Sequence, residues 1–256
     1  MLLFLFLCAS AVAQISPLDN VSFEQKLGQP AAIDATFADH TGKTVTLGQL
    51  VHDRPVILMM GFYNCPMLCD PILKNLASSL KRVELSAGKD FDVIAVSINP
   101  DEKPALAAGK RDSLIKAYGR PGTDDGWQCL TGDLTNIEKL ATSVGYHYAP
   151  LPGGQFSHPA GLILLTPDGK IDRYLIGMTF QGRDLRLALV ETSAGKIGTF
   201  SDAVLLRCYH YDPATGRYGF AIQSALRGGG ILTATLLFSS VVWMSYRYRQ
   251  RPENRA

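Results

Sequence analysis

Residues 55–62, Pro-Val-Ile-Leu-Met-Met-Gly-Phe, form an unbroken apolar run that leads straight into Tyr63-Asn64-Cys65-Pro66. So short and uniform a run reads as a strand buried on both faces, which requires a sheet covered on both sides. Pro66 then starts a helix, because its fixed φ suits the first turn and its missing N–H would have had no partner there. The spacing of Leu68, Ile72, Leu76, Leu80 and Val83 carries that helix to about Ser86. A second buried strand is predicted over 91–98 and a helix over 103–118, closed by Gly119-Arg120-Pro121-Gly122. A short strand over 127–130 precedes a helix over 134–144, with Thr135 and Glu138 as a capping box. Residues 145–155 read as loop, and 161–166 as a strand that turns at Pro167-Asp168-Gly169-Lys170 and returns over 171–176. A last helix covers 184–192, and Thr44-Val45-Thr46-Leu47 is a short early strand. Strands alternating with helices imply a parallel sheet, and the hairpin adds antiparallel strands. The expected class is α/β: a thioredoxin-like fold, a central mixed sheet flanked by helices, with an insertion before the hairpin.

Two further apolar segments lie at the ends. Residues 1–13 end in Ala11-Val12-Ala13, a signal-peptide cleavage pattern, and are too short to span a bilayer. Cys8 lies within that segment and is expected to leave with it, although no basic residue precedes the apolar run. Residues 228–246 carry no charge over 19 positions, about 28 Å of helix, and Arg247, Arg249, Arg251 and Arg255 follow. This reads as a C-terminal transmembrane helix whose basic tail, 247–256, is cytoplasmic. Trp243, Tyr246 and Tyr248 suit an interfacial belt. The expected organisation is a signal peptide (1–13), an arm (14–29), a domain (30–195), a juxtamembrane segment (196–227), the membrane helix and the tail. The main domain would face the periplasm from the inner membrane. Taking four Arg and Glu253 of the tail from the chain's 25 basic and 23 acidic residues leaves 21 against 22, a net −1. That balance argues against nucleic acid as a partner.

Cys65 and Cys69 are four apart at a helix N-terminus, so both sulfurs lie on one face. The helix dipole and its free N–H groups stabilise thiolates, the form that attacks disulfides and binds metals. The preceding strand sets the pair at the carboxyl edge of the sheet, where open α/β sheets place their sites. Compared with Cys-x-x-Cys, the extra residue of Cys-Pro-Met-Leu-Cys opens the pair and suits a metal held between the sulfurs. Soft thiolates select Cu(I), and an added imidazole also suits Cu(II). Of the five histidines, His158 in Phe156-Ser157-His158-Pro159 stands just before the 161–166 strand. In a thioredoxin-like fold the loop entering that strand faces the active-site helix. The third ligand is therefore expected to be His158, with His147 as runner-up, and the His158–Pro159 bond is expected to be cis. Cys129 reads as a buried structural thiol. Cys208 and His210 form a Cys-x-His pair that fits either a second metal site or one face of a docking strand.

These residues resemble the Sco (SenC) family of copper proteins over residues 29–193. The likeness rests on Gly61-Phe-Tyr-Asn-Cys-Pro-Met-Leu-Cys69, the 93–98 strand with Asn99-Pro-Asp-Glu, Leu130-Thr-Gly-Asp133, and His158 followed by Leu164-Leu-Thr-Pro-Asp-Gly-Lys170. His158 falls 93 residues after Cys65. The resemblance implies copper bound by Cys65, Cys69 and His158, and a role in loading the copper-containing subunit of a respiratory oxidase. It also implies a redox-active Cys65–Cys69 pair able to reduce client cysteines. The competing expectation is a thiol–disulfide oxidoreductase that holds no copper. A peroxide-reducing protein is disfavoured, because the residues near Cys65 lack a Thr/Ser-rich, Arg-assisted pocket. Three departures stand out: Asp70 where family members often have Pro, Ser157 where they often have Asp, and an anchor expected at the C-terminus.

Overall fold

Each of the two apolar runs becomes a strand in which every residue is buried. In chain order the strands are β1 (Ser22–Phe23), β2 (Thr36–Ala38), β3 (Thr44–Thr46), β4 (Val56–Gly61), β5 (Asp92–Ser97), β6 (Trp127–Leu130), β7 (Tyr146–His147), β8 (Ala149–Leu151), β9 (Gln155–Ser157), β10 (Gly161–Leu165), β11 (Ile171–Ile176), β12 (Tyr209–Asp212) and β13 (Arg217–Phe220). The helices are α1 (Leu47–Leu50), α2 (Cys69–Leu80), α3 (Pro104–Tyr118), α4 (Leu134–Ser143), α5 (Gly182–Thr192) and α6 (Ile222–Arg249). The structure, a computed structural model, describes residues 21–64, 69–193, 199, 202, 204–206, 209–213, 215–220 and 222–249, and their side chains except those of 69–70, 220–228 and 248–249.

The central sheet has the order β11-β10-β4-β5-β6. β4, β5 and β6 run parallel, while β10 runs antiparallel to both β4 and β11. Leu165 of β10 faces Val56 at the start of β4, and Ile163 faces Leu58. The residues entering β10 therefore arrive beside the end of β4, where the cysteine motif begins. This is the mixed sheet read from the sequence.

Local chemistry explains where the elements depart from expectation. The helix expected to run to Ser86 ends at Leu80. The Arg120 guanidinium donates to the carbonyls of Lys81 (2.9 Å) and Leu85 (2.8 Å), so the chain beyond the helix is held by a side chain. α4 is capped by Asp133, which accepts the Asn136 N–H at 2.9 Å and its side-chain amide at 2.8 Å. The Thr135–Glu138 box is not the cap, because the chain turns into the helix two residues earlier than that pair requires. Thr46 and Gln49 form a reciprocal capping box that begins α1, which shortens the expected 44–47 strand by one residue. The expected loop 145–155 instead holds β7 and β8, with β9 pairing onto β8. Tyr146 and Tyr148, with Phe156 of β9, give it a half-buried face.

The described part of the N-terminal arm is packed onto the domain. β1 pairs with β7, and the Phe23 ring lies 5.5 Å from both Tyr146 and Tyr174. β12 and β13 form a hairpin that docks through tyrosines: Tyr211 Oη accepts from the Tyr174 N–H (3.0 Å) and donates to its carbonyl (2.6 Å). α6 contains a 19-residue stretch, 229–247, none of which is buried. By length and composition it can cross a membrane, and its exposed Ile231, Leu237 and Phe238 exclude a core helix.

Candidate metal centre

β4 ends at Gly61, and the chain continues through buried Phe62 and Tyr63 to exposed Asn64. Cys65 lies outside the described residues, as do Pro66, Met67 and Leu68. Cys69 is the first described residue of α2. The expected helix start at Pro66 thus lies outside the described residues, while the strand ends within a residue of where the sequence predicts.

His158 is brought to this same edge. Its ring centroid lies 5.9 Å from that of Phe62, three residues before Cys65, and 6.2 Å from Tyr146 in a stacked arrangement. Tyr146 Oη in turn donates to the Met60 carbonyl at 2.7 Å, tying the wall behind His158 to the end of β4. Burial pulls the His158 imidazole below its ordinary pKa, which favours the neutral ring. Nδ1 lies 3.1 Å from the Pro159 carbonyl oxygen, an acceptor only, so Nδ1 carries the proton and Nε2 the lone pair. This is the tautomer of a ligating histidine whose second nitrogen is oriented by a carbonyl.

The expected cis bond at His158–Pro159 is absent: no cis peptide occurs among the described residues. Trans is favoured by about 0.5–1 kcal/mol before proline. Here 158–160 form no tight turn that would offset that preference, because the paired β8 and β9 already deliver the chain to β10. The far side of the loop is held as well. Gly177 donates to the Ala160 carbonyl at 3.0 Å, and Phe180 donates to Asn75 Oδ1 of α2 at 3.2 Å.

Glu102, which sequence reasoning passed over, holds the segment that leads into the motif. It is buried, and its carboxylate accepts the backbone N–H groups of Tyr63 (2.9 Å) and Asn64 (2.7 Å) and the Ser97 hydroxyl (2.6 Å). The available signal was an acid just past the neighbouring parallel strand, in Asn99-Pro-Asp-Glu. Tyr63 is fixed a second time, its Oη donating to the Ala95 and Leu130 carbonyls at 2.8 Å each.

The other candidates separate cleanly. Cys129 is a free thiol buried in β6, and burial pushes its pKa up to about 12, so it is an inert packing residue. His147, the runner-up, points to Glu24 at 3.2 Å and is exposed on β7. His210 is exposed on β12, while Cys208 lies outside the described residues. Among the described residues no three His, Cys, Asp or Glu side chains cluster, and His158 is the one member of the expected ligand set whose side chain is described.

The SCO1/SenC family model matches residues 25–185, from just after β1 through the whole central sheet and into α5. The chain belongs to the SCO1/SenC family. No curated protein shows a comparable match to the sequence. Among solved structures, a putative electron transfer protein from Aquifex aeolicus VF5 superposes with a TM-score of 0.58 at 23% identity, covering 67% of this chain and 96% of that one. Arabidopsis thaliana ScoI with copper bound gives 0.52 at 20% identity, covering 65% and 97%. A SCO1/SenC family lipoprotein from Bacillus anthracis gives 0.53 at 19%, covering 67% and 99%. These likenesses establish the Sco fold. The Sco domain accounts for the sheet, while β12, β13 and α6 lie beyond the matched residues.

Proposed function

We propose that this chain is a membrane-anchored copper metallochaperone that holds one copper ion through Cys65, Cys69 and His158 and delivers it to a copper-containing subunit of a respiratory oxidase. The observation that carries the reading is the half-buried neutral imidazole of His158 against Phe62, at the strand end that leads into Cys65. Two thiolates and an imidazole suit copper in both oxidation states. The copper-bound Arabidopsis relative shows that the Sco fold can carry the ion.

Copper is the cargo here, and the chain's residues receive and release it. Pro159 orients the imidazole, Tyr146 and Phe62 exclude water from one side of it, and Gly177 and Asn75 fix the surrounding loops. The same thiols can reduce a client disulfide. Cys65 thiolate attacks one sulfur and releases the other as thiolate. Cys69 then displaces the mixed disulfide, leaving a Cys65–Cys69 disulfide and two client thiols. A thiol reductase with no copper is the second reading. It gives no role to an imidazole oriented and desolvated beside the motif, which is why the metallochaperone is preferred.

α6 serves as the anchor, with the arginines after 246 on the cytoplasmic side and the Sco domain on the outer, periplasmic side. The deciding experiment uses the full chain in detergent, reduced and given one equivalent of Cu(II) without oxygen, alongside His158→Ala. A stable thiolate-to-copper charge-transfer band in the wild type that is lost in the variant supports the three-ligand site. Prompt oxidation with no retained copper, alike in both, leaves the reductase.

A further inference from the structure

Both oxygens of the buried Glu102 carboxylate are committed to main-chain and hydroxyl donors around the cysteine loop. Oε2 accepts from the Tyr63 N–H and the Ser97 hydroxyl, and Oε1 from the Asn64 N–H. Two successive backbone N–H groups converging on one anion make a nest, a geometry that ordinarily captures a ligand. In this chain the anion comes from the turn after β5, where Glu102 N–H itself bonds to the Asn99 carbonyl at 3.2 Å. The bonds are charge-assisted and removed from water, so they are stronger than neutral ones and costly to break singly. Ser97 ends β5 and Gly61 ends β4, two strands paired in register at these residues. The carboxylate therefore bolts the end of one strand to the segment that leaves the other, and the next residue along that segment is Cys65.

We propose that Glu102 is a positioning residue for the copper and redox chemistry: by holding the amides of Tyr63 and Asn64, it fixes the backbone that leads into Cys65. The metal half of this statement rests on the proposed function; the redox half does not. Without the clamp the approach to Cys65 is no longer fixed, so the balance between dithiol and disulfide moves and the metal is held less firmly. Glu102→Gln has nearly the same shape, but its amide nitrogen turns a donor toward one of those N–H groups and breaks the pairing.

The test compares the full-length wild type with Glu102→Gln and Ser97→Ala. Each protein is equilibrated without copper in buffers of reduced and oxidised dithiothreitol, which exchange the two electrons and two protons of the couple. Cu(II) charge-transfer spectra and release to a chelator are recorded in parallel. Glu102→Gln is expected to move the balance between the Cys65–Cys69 dithiol and disulfide about tenfold, about 30 mV for a two-electron couple. It is also expected to shift the charge-transfer band and release copper about tenfold faster. Ser97→Ala removes only one support of the carboxylate and is expected to move each quantity about threefold in the same direction. A Glu102→Gln protein that loses thermal stability but keeps the wild-type midpoint, band and release rate within twofold overturns the proposal. If Glu102→Gln does not fold, an unchanged Ser97→Ala does the same. If the wild type itself holds no copper, the metallochaperone reading fails while the dithiothreitol midpoints still decide the role of Glu102.

Discussion

Asp202 illustrates how much one side chain can fix where the chain leaves the sheet. Its carboxylate is buried and bidentate to Arg186, at 2.6 and 2.9 Å, and also accepts the Thr199 N–H at 2.7 Å. The Arg186 guanidinium holds its pKa down at about 2. A folded-state pKa below the unfolded one means stability that is complete above about pH 4 and is lost as the pH falls toward 2. Asp202→Asn should therefore unfold more readily at neutral pH yet lose less additional stability between about pH 4 and pH 2 than the wild type. Urea midpoints across that range would show it, and parallel slopes for the two proteins would contradict it. His158 shows the opposite use of burial. Desolvation shifts the ring toward its neutral form, the form in which an imidazole can ligate a metal.

At the scale of elements, caps and clamps decide boundaries. Asp133→Ala removes the α4 cap and should cost about 1 kcal/mol in chemical denaturation. Glu138→Ala should cost far less, because Glu138 plays no part in that cap. A larger effect is expected at Arg173, whose guanidinium is almost wholly buried between Asp172 (2.6 Å), Glu191 and the Tyr218 hydroxyl. Arg173→Met leaves carboxylates and a phenol without their cation and should cost about 3–5 kcal/mol. It should also raise amide exchange in β12 and β13, because Tyr218 and Tyr211 pack on that guanidinium. Unchanged exchange in the hairpin would show that its docking does not depend on the arginine.

These elements also mark what was readable beforehand. β4, β5, β10 and β11 were legible because uniform apolar runs and a Pro-Asp-Gly-Lys turn leave little choice of structure. Of the expected site, the strand end before Cys65 and the approach of His158 to Phe62 were legible from the order of strand and loop, while Cys65 lies outside the described residues. Glu102 was not legible, because its role depends on two N–H groups that lie 38 and 39 residues away in sequence. The trans bond before Pro159 escaped notice for a related reason: β8 and β9 reshape the approach to β10, and their short, half-polar segments carry little periodicity.

At the scale of the whole molecule, α6 is distinguished by its exposure: none of its residues 229–247 is buried. On the proposed reading the chain should remain with membranes through alkaline carbonate extraction, and a chain cut before α6 should not. Release of the full chain by carbonate would refute the anchor. The hairpin before α6 adds a constraint. β13 ends at Phe220 and α6 begins at Ile222, so one residue separates them, roughly 7 Å at full stretch. β12 and β13 are themselves fastened to the domain through Tyr211, Tyr218 and Arg173. On the proposed reading, the search of an anchored domain for its recipient is two-dimensional, and the height at which it presents its cargo is set by its own architecture, so a recipient must offer its acceptor groups at that same altitude above the bilayer.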